Sequence, residues 1–399
     1  MTGVTSNHNK KIIFDMDGVI TSEECYWDAA SLTVWELLYS KRYLGLKPEP
    51  ALPPFRTDVN PAEIASIREV IFQEGKVISF IKERAVNSNW DLAFLTFGYQ
   101  LVLLLEILDK KNVAKDDWFK SKKCLESKHL PELSLLILSL PGRWMPSFAA
   151  ILGDWPGKSR GQKLMQKLSL RLPGMYGSLA KNSFKPLSPL WKTTRDIFQE
   201  WYLGEKKFKE AYHREPAAPG KKGLIFNEKP LLPPEKIKDT LMQLLNEGWL
   251  LGIATGRPLN ELYPLLESMH IVKLFDCSSI VTADDVQKAE QFLKTEKQAA
   301  AFSLGKPHPF SFLKAYWGKE IPEKELLSPR GMRPQPGKCL VVGDSPADLL
   351  AAREAGFRFV GVSSGHRGND GRNILEDSGA QVVLPDITHI PRYLAGRPS

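Results

Sequence analysis

Phe14-Asp15-Met16-Asp17-Gly18-Val19-Ile20-Thr21 is the stretch on which the reading of this chain turns. Two carboxylates, two residues apart, follow the apolar run 11–15 (KIIFD) and precede a glycine. Alone, such a pattern is also an ordinary turn, because Asp and Gly favour turns. Its meaning comes from what recurs further on. A second apolar run, 250–254 (LLGIA), leads into Thr255-Gly256-Arg257. A third, 279–282 (SIVT), is followed by Lys306-Pro307, which opens a helical pattern. A fourth, 339–343 (CLVVG), leads into Asp344-Ser345-Pro346-Ala347-Asp348, and 357–362 is a fifth. Helical patterns lie between them at 234–247, 259–269, 309–316 and 347–355. Short apolar strands alternating with helices predict an α/β fold, a parallel sheet covered on both faces. Ligands in such sheets sit at the carboxyl ends of the strands, which is where each of these polar residues falls.

Taken singly, the pieces have plain structural readings. Asp344 with Ser345 would cap a helix starting near Pro346. Lys306 before a proline would be a solvated surface lysine, and Thr255-Gly256 a strand-to-helix turn. Arg257 has two readings, a contact to a substrate phosphate or a pair with an acid of the middle segment. His308 and His366 have no paired ligand at metal spacing and read as surface or supporting residues.

All four pieces together, in order and each just after a strand, resemble the four motifs of the haloacid dehalogenase (HAD) superfamily. The resemblance covers 1–25 and 223–399 and implies a Rossmannoid α/β core. It implies that 26–222 is a cap inserted after the first motif, expected to be large and mainly helical. It also implies a Mg²⁺-dependent phosphatase acting on a small phosphorylated metabolite, while the scattered cysteines, with no CxxC pair, read as those of a cytoplasmic protein.

Phosphoryl transfer needs an in-line nucleophile and positive charge around the phosphate oxygens. Asp15 would attack phosphorus and form an aspartyl-phosphate. Asp17 would protonate the leaving oxygen and then deprotonate the attacking water. A dehalogenase of the same superfamily lacks this second acid, so Asp17 argues for phosphate chemistry. Carboxylates facing a phosphate repel it unless a hard cation with oxygen ligands intervenes, and Mg²⁺ is the usual one. Asp15 and Asp344 would bind it by side chain, Asp17 by its carbonyl, and Asp348 through water or from behind. Lys306 would hold the nucleophile and phosphoryl group, with Thr255, Gly256 and Arg257 on the phosphate oxygens. Phosphoglycolate and sugar phosphates are equally open as substrates. A phosphomutase of the β-phosphoglucomutase type is one alternative. A non-catalytic phosphate- or nucleic-acid-binding protein is another, with nucleic acid the less expected partner.

Composition sets the outer limits. The chain has 399 residues, 43% hydrophobic and 25% charged, which excludes a disordered polymer and is enough for two or three domains. The net charge is +8, and 154–222 alone carries 15 Lys/Arg against 6 Asp/Glu. That segment, which also holds Trp155, Tyr176, Trp191, Trp201 and Tyr202, reads as a solvated helical face, a lid for anionic leaving groups, or a nucleic-acid platform. Cys25, Cys124, Cys277 and Cys339 are scattered and read as reduced, mostly buried thiols. The apolar run 92–108 contains Gln100 and Glu106 and reads as a buried helix rather than a membrane span. In the middle segment, 48–61 reads as a proline-rich linker, and 62–84, 90–111 and 194–212 as helices; 321–337 reads as a surface loop.

Overall fold

The computed structural model describes residues 10–396, apart from 87, 112, 114–117, 120, 154–158, 162, 173–175, 296–303, 328–336 and 366–367. Trp155 and His366 lie outside the described residues. The chain forms two compact units, Met1–Glu23 with Glu228–Ser399, and Glu24–Asn227. Their bounds sit a few residues from 25/26 and 222/223. The first helix of the insertion already begins at Glu24, and the turn Leu224–Asn227 still packs on that helix and on Pro189–Tyr212.

The first unit holds a six-stranded sheet: β1 Lys11–Phe14, β2 Leu250–Ala254, β3 Ile280–Val281, β4 Cys339–Gly343, β5 Arg358–Val362 and β6 Val383–Leu384. The order is β3-β2-β1-β4-β5-β6 and every pairing is parallel. This is the Rossmannoid arrangement. Side chains alternate across the sheet with period two. Ile12, Phe14, Leu251, Ile253, Leu340 and Val342 pack on one face, with helices Pro234–Asn246 and Leu259–Ser268. Ile13, Ala254, Val341 and Cys339 pack on the other, with Phe310–Trp317 and Pro346–Ala355. Because both faces are covered, the strands read as continuous apolar runs. Strand order reverses between β1 and β4, so the crevice for a ligand opens at the carboxyl ends of those two strands.

The chain leaves and re-enters this unit through two segments that pair with each other. Ser22 N–H donates to the Lys229 carbonyl (3.0 Å), and Leu231 N–H to that of Ile20 (2.9 Å). Thr21 and Pro230 face each other as an antiparallel bridge between those bonds.

The second unit is helical. Glu24–Tyr39 packs on Pro61–Phe72, Asn89–Lys110 and Pro189–Tyr212 around a core that includes Trp35, Phe94, Phe97, Phe198 and Tyr202. The run 62–84 is two helices, not one. Gln73, Glu74 and Gly75 take left-handed dihedrals between Pro61–Phe72 and Lys76–Lys82. Asn89–Lys110 is the one helix among the described residues long and apolar enough to cross a membrane, and 83% of its apolar window is buried within the protein. It is a core helix.

Several side chains of the basic stretch are committed to ion pairs. Lys221 is buried between Glu36 and Glu200 at 2.7 Å each. Lys209 meets Glu205 and Glu215 at 2.8 Å, and Arg195 and Arg214 both meet Asp196. Of the segment 321–337, Glu323–Leu327 is a helix and not loop. All four cysteines are free; Cys25 and Cys339 are buried, while Cys277 is exposed and Cys124 partly so. Only half of them are therefore the buried thiols that the sequence suggests.

Candidate active site

Asp15 follows directly on β1. Its N–H donates to the Val342 carbonyl (2.9 Å), so the β1–β4 ladder carries it to the strand-end crevice. Residues 16–21 then close a tight loop in which the amides of Val19, Ile20 and Thr21 all point to the Met16 carbonyl. Gly18 sits in this loop at φ +77°, a conformation that glycine adopts without strain. A Cβ there would lie 1.8 Å from Asp344 Oδ2, and one at Gly365 would lie 3.0 Å from the same atom. The two glycines therefore leave a cradle for the Asp344 carboxylate, and the Ser364 hydroxyl ties the loops together by donating to the Gly18 carbonyl (3.0 Å).

Lys306 is buried between two carboxylates. Its Nζ lies 2.9 Å from Asp15 Oδ1 and 2.8 Å from Asp348 Oδ1. This placement displaces the surface reading of Lys306. Asp348 does a second job. Its Oδ2 accepts from the Ser345 N–H (3.2 Å) and hydroxyl (2.6 Å), while Ser345 Oγ accepts from the Asp348 N–H (3.3 Å). This reciprocal cap starts the helix Pro346–Ala355. The N-cap is thus Ser345 with Asp348 and not Asp344, whose carboxylate lies against Gly18 and Gly365.

Asp15, Asp344 and Asp348 each offer a carboxylate oxygen, all within 4.8 Å of one another. Burial pushes the Asp15 carboxyl up to about 8, with Lys306 opposing and Asp348 and Asp17 adding to the rise. For Lys306, burial acts against the charge, but Asp15 and Asp348 outweigh it and raise its pKa. One cation thus serves several buried carboxylates and leaves them under-neutralised. An all-oxygen donor set short of positive charge fits a hard divalent cation such as Mg²⁺.

Thr255 and Arg257 follow β2. The Thr255 N–H donates to the Val281 carbonyl (3.0 Å), and Thr255 Oγ1 accepts from the Arg257 N–H (3.1 Å). Gly256, between them, is exposed. The Arg257 guanidinium is 1% exposed and faces acids. Its Nε donates to Asp17 Oδ1 (2.8 Å), one Nη2 reaches the same oxygen, and Nη1 donates to Glu228 Oε1 (3.2 Å). Its partners belong to the core unit and include the second motif aspartate, so neither reading made from sequence described them. Glu228, Ser364 and Gly365 were not singled out in the sequence at all. His308 is half-buried, and its Nδ1 accepts from the Phe310 N–H (3.2 Å) at the start of the helix Phe310–Trp317.

The HAD-hydrolase-like family model matches residues 303–390, which include Lys306, Asp344 and Asp348. A crystal structure from a structural genomics programme is 30% identical, with a TM-score of 0.69 over 97% of this chain and 98% of that one. The chain belongs to the haloacid dehalogenase superfamily. That crystal structure covers nearly the whole chain, so the similarity is not confined to the HAD core. The phosphoglycolate phosphatase of Salmonella typhimurium is 34% identical over 36% of this chain and 44% of its own length. That of Escherichia coli K12 is 34% identical over 33% of this chain and 39% of its own. The chain spans less than half the length of these two relatives.

The glycine cradle gives a direct test. Gly18→Ala is expected to displace the Asp344 carboxylate and weaken divalent-ion binding about tenfold or more, the scale for disturbing a metal's supporting groups. Gly256→Ala is the control, because a Cβ there meets nothing within 4 Å. Mg²⁺-dependent shifts in melting temperature compare the two.

Proposed function

We propose that this protein is a Mg²⁺-dependent phosphatase that hydrolyses a small phosphate monoester through an aspartyl-phosphate on Asp15. The observation that carries the reading is the Asp15 carboxylate at the β1 end, 2.9 Å from Lys306 Nζ, in the same oxygen cluster as Asp344. A bound Mg²⁺, held by Asp15, Asp344 and the Asp17 carbonyl with Asp348 behind, would neutralise the phosphate and the carboxylates that face it. Lys306 opposes the effect of burial on Asp15, and together with the bound cation it would draw the carboxyl into its ionised form with one oxygen towards phosphorus. The Asp15 O–P bond forms as the bond to the leaving oxygen breaks, and the departing electron pair takes the proton held by Asp17. Asp17, now ionised, removes a proton from water, which attacks phosphorus and releases Asp15. Thr255 and the amide of Gly256 supply donors to the phosphate oxygens.

Two relatives bear the name phosphoglycolate phosphatase, which makes 2-phosphoglycolate the first substrate to test. Sugar phosphates stand beside it. Such metabolites are cytoplasmic, and the proposal places the protein there. The insertion begins right after the first motif, which supports reading it as the cap that selects the leaving group. The test is release of inorganic phosphate from a broad panel of phosphorylated metabolites, with Mg²⁺ and with EDTA. Release from one or a few, abolished by EDTA, is expected; none from any, with Mg²⁺ present, overturns the reading.

Metal binding should depend on pH. Asp15 ionises near 8 in the folded, metal-free protein, against an ordinary value of 3.8. A raised carboxyl pKa favours the protonated fold, so this group's contribution to stability is full below the ordinary value and lost as pH rises through about 8. Mg²⁺ competes with that proton. The Mg²⁺-induced rise in melting temperature is therefore expected to be larger above that pH than well below it. An equal rise at both would remove Asp15 from the metal site.

A further inference from the structure

We propose that Glu228 is a positioning residue for Asp17, acting through Arg257. The inference rests on the phosphatase reading above and adds to it a residue without sequence signature.

Arg257 presents a planar fork of five N–H donors that cannot bend to suit two partners independently. One edge of the fork is spent on Asp17, through Nε at 2.8 Å and through Nη2. The same Nη2 lies 3.3 Å from Thr21 Oγ1, and that hydroxyl donates to Asp17 Oδ1 (3.2 Å). The other edge reaches Glu228 Oε1 at 3.2 Å. Both the guanidinium and the Glu228 side chain are buried, while Asp17 keeps partial access to solvent. A carboxylate on the far side of a buried guanidinium costs desolvation. It also sets the plane and rotation of the fork, and the fork sets the direction of Asp17.

The backbone supports this arrangement. Glu228 immediately precedes Lys229, whose carbonyl accepts from Ser22 N–H, and Leu231 N–H closes on Ile20. Asp17 and Glu228 thus belong to two chain segments zipped together a few residues away, and Arg257 bridges them from the β2 loop. The second acid of the motif is held in direction by a residue that the chain reaches only after the whole insertion has been traversed.

Asp17's proton is needed when the leaving group is a poor one, such as an alkoxide, and hardly needed for nitrophenolate. The readout is therefore kcat/KM, which reports the phosphorylation half-reaction, for an alkyl phosphate substrate and for p-nitrophenyl phosphate. Glu228→Ala is expected to lower kcat/KM for the alkyl phosphate about tenfold or more, a part of the range for general acid catalysis, and to change p-nitrophenyl phosphate little. Glu228→Gln keeps an acceptor oxygen at the same reach and should restore most of the loss. Glu228→Asp keeps the charge but withdraws it by one methylene, and should resemble Glu228→Ala. If Glu228→Ala does not fold, the Asp and Gln pair carries the test alone. Equal loss on both substrates, or wild-type behaviour of both Ala and Asp variants, overturns the inference. Asp15→Asn measured on the same substrates separates the two layers. If it retains activity, the covalent reading itself fails; if it is inactive while the Glu228 variants show no leaving-group split, only the role of Glu228 fails.

Discussion

Asp15→Asn is expected to remove nearly all turnover, on the scale of about 10⁴-fold or more, as for loss of a catalytic nucleophile. The substitution is almost isosteric. It keeps an oxygen that can accept from the Met16 N–H, now at 2.8 Å, so the loop has no steric reason to move. What it removes is the charge that attacks phosphorus. Asp15 is fully buried, and its ionisation is costly there, as the rise of its carboxyl to about 8 shows. A neutral amide avoids that cost but takes one partner from Lys306, which keeps Asp348 at 2.8 Å, so the variant should melt close to the wild-type temperature while being inactive. Phosphate release and a thermal melt on the same sample check both halves. Residual turnover above about a thousandth of wild type would be too much for a lost nucleophile.

Lys306→Met should be the most damaging change to stability in the site. Met has similar length and no charge. Without the ammonium, Asp15 and Asp348 lose contacts of 2.9 and 2.8 Å and remain buried as carboxylates beside Asp344. Breaking a buried ion pair from one side costs about 3–5 kcal/mol. The sign of the pH effect follows, because carboxylates without a cation escape the penalty by taking up protons. The deficit should therefore be small in acid and grow as pH rises, and Mg²⁺ should recover part of it. Urea unfolding at several pH values, with and without Mg²⁺, measures this. A deficit independent of pH would point to lost packing against Phe312, whose ring lies 4.9 Å from Nζ, rather than to charge.

The strand ends were legible because a strand covered on both faces leaves an uninterrupted apolar run, and KIIFD, LLGIA and CLVVG each stop at a polar residue. The loops after them carry short-range signals, and the structure brings Asp15, Lys306, Asp344 and Asp348 together at the β1–β4 crevice. The partners of Arg257 were hidden for a physical reason. Asp17 lies 240 residues away along the chain, and no local pattern encodes a contact of that separation. Glu228 stands in Asn227-Glu228-Lys229-Pro230, a polar stretch without apolar periodicity, yet its side chain is buried. Strand β6, two residues long, is too short for any periodicity. The break at 73–75 was missed because Gln73 and Glu74 are not residues that announce a left-handed turn. In the basic stretch, a count of charges could not show that Lys221 is buried against Glu36 and Glu200 instead of facing water.

The paired segments at Ile20–Ser22 and Lys229–Leu231 have a consequence for how such a chain can change over generations. The excursion between them starts and finishes at neighbouring points that are already bonded to each other. The entropy of closing a flexible loop grows only with the logarithm of its length, about 0.6 kcal/mol for each doubling. Growth or replacement of the excursion is therefore nearly free for the sheet and for the aspartates at its edge. The zipped stem is a graft point, where a lineage can exchange one inserted module for another while the sheet and the aspartates at its edge stay as they are.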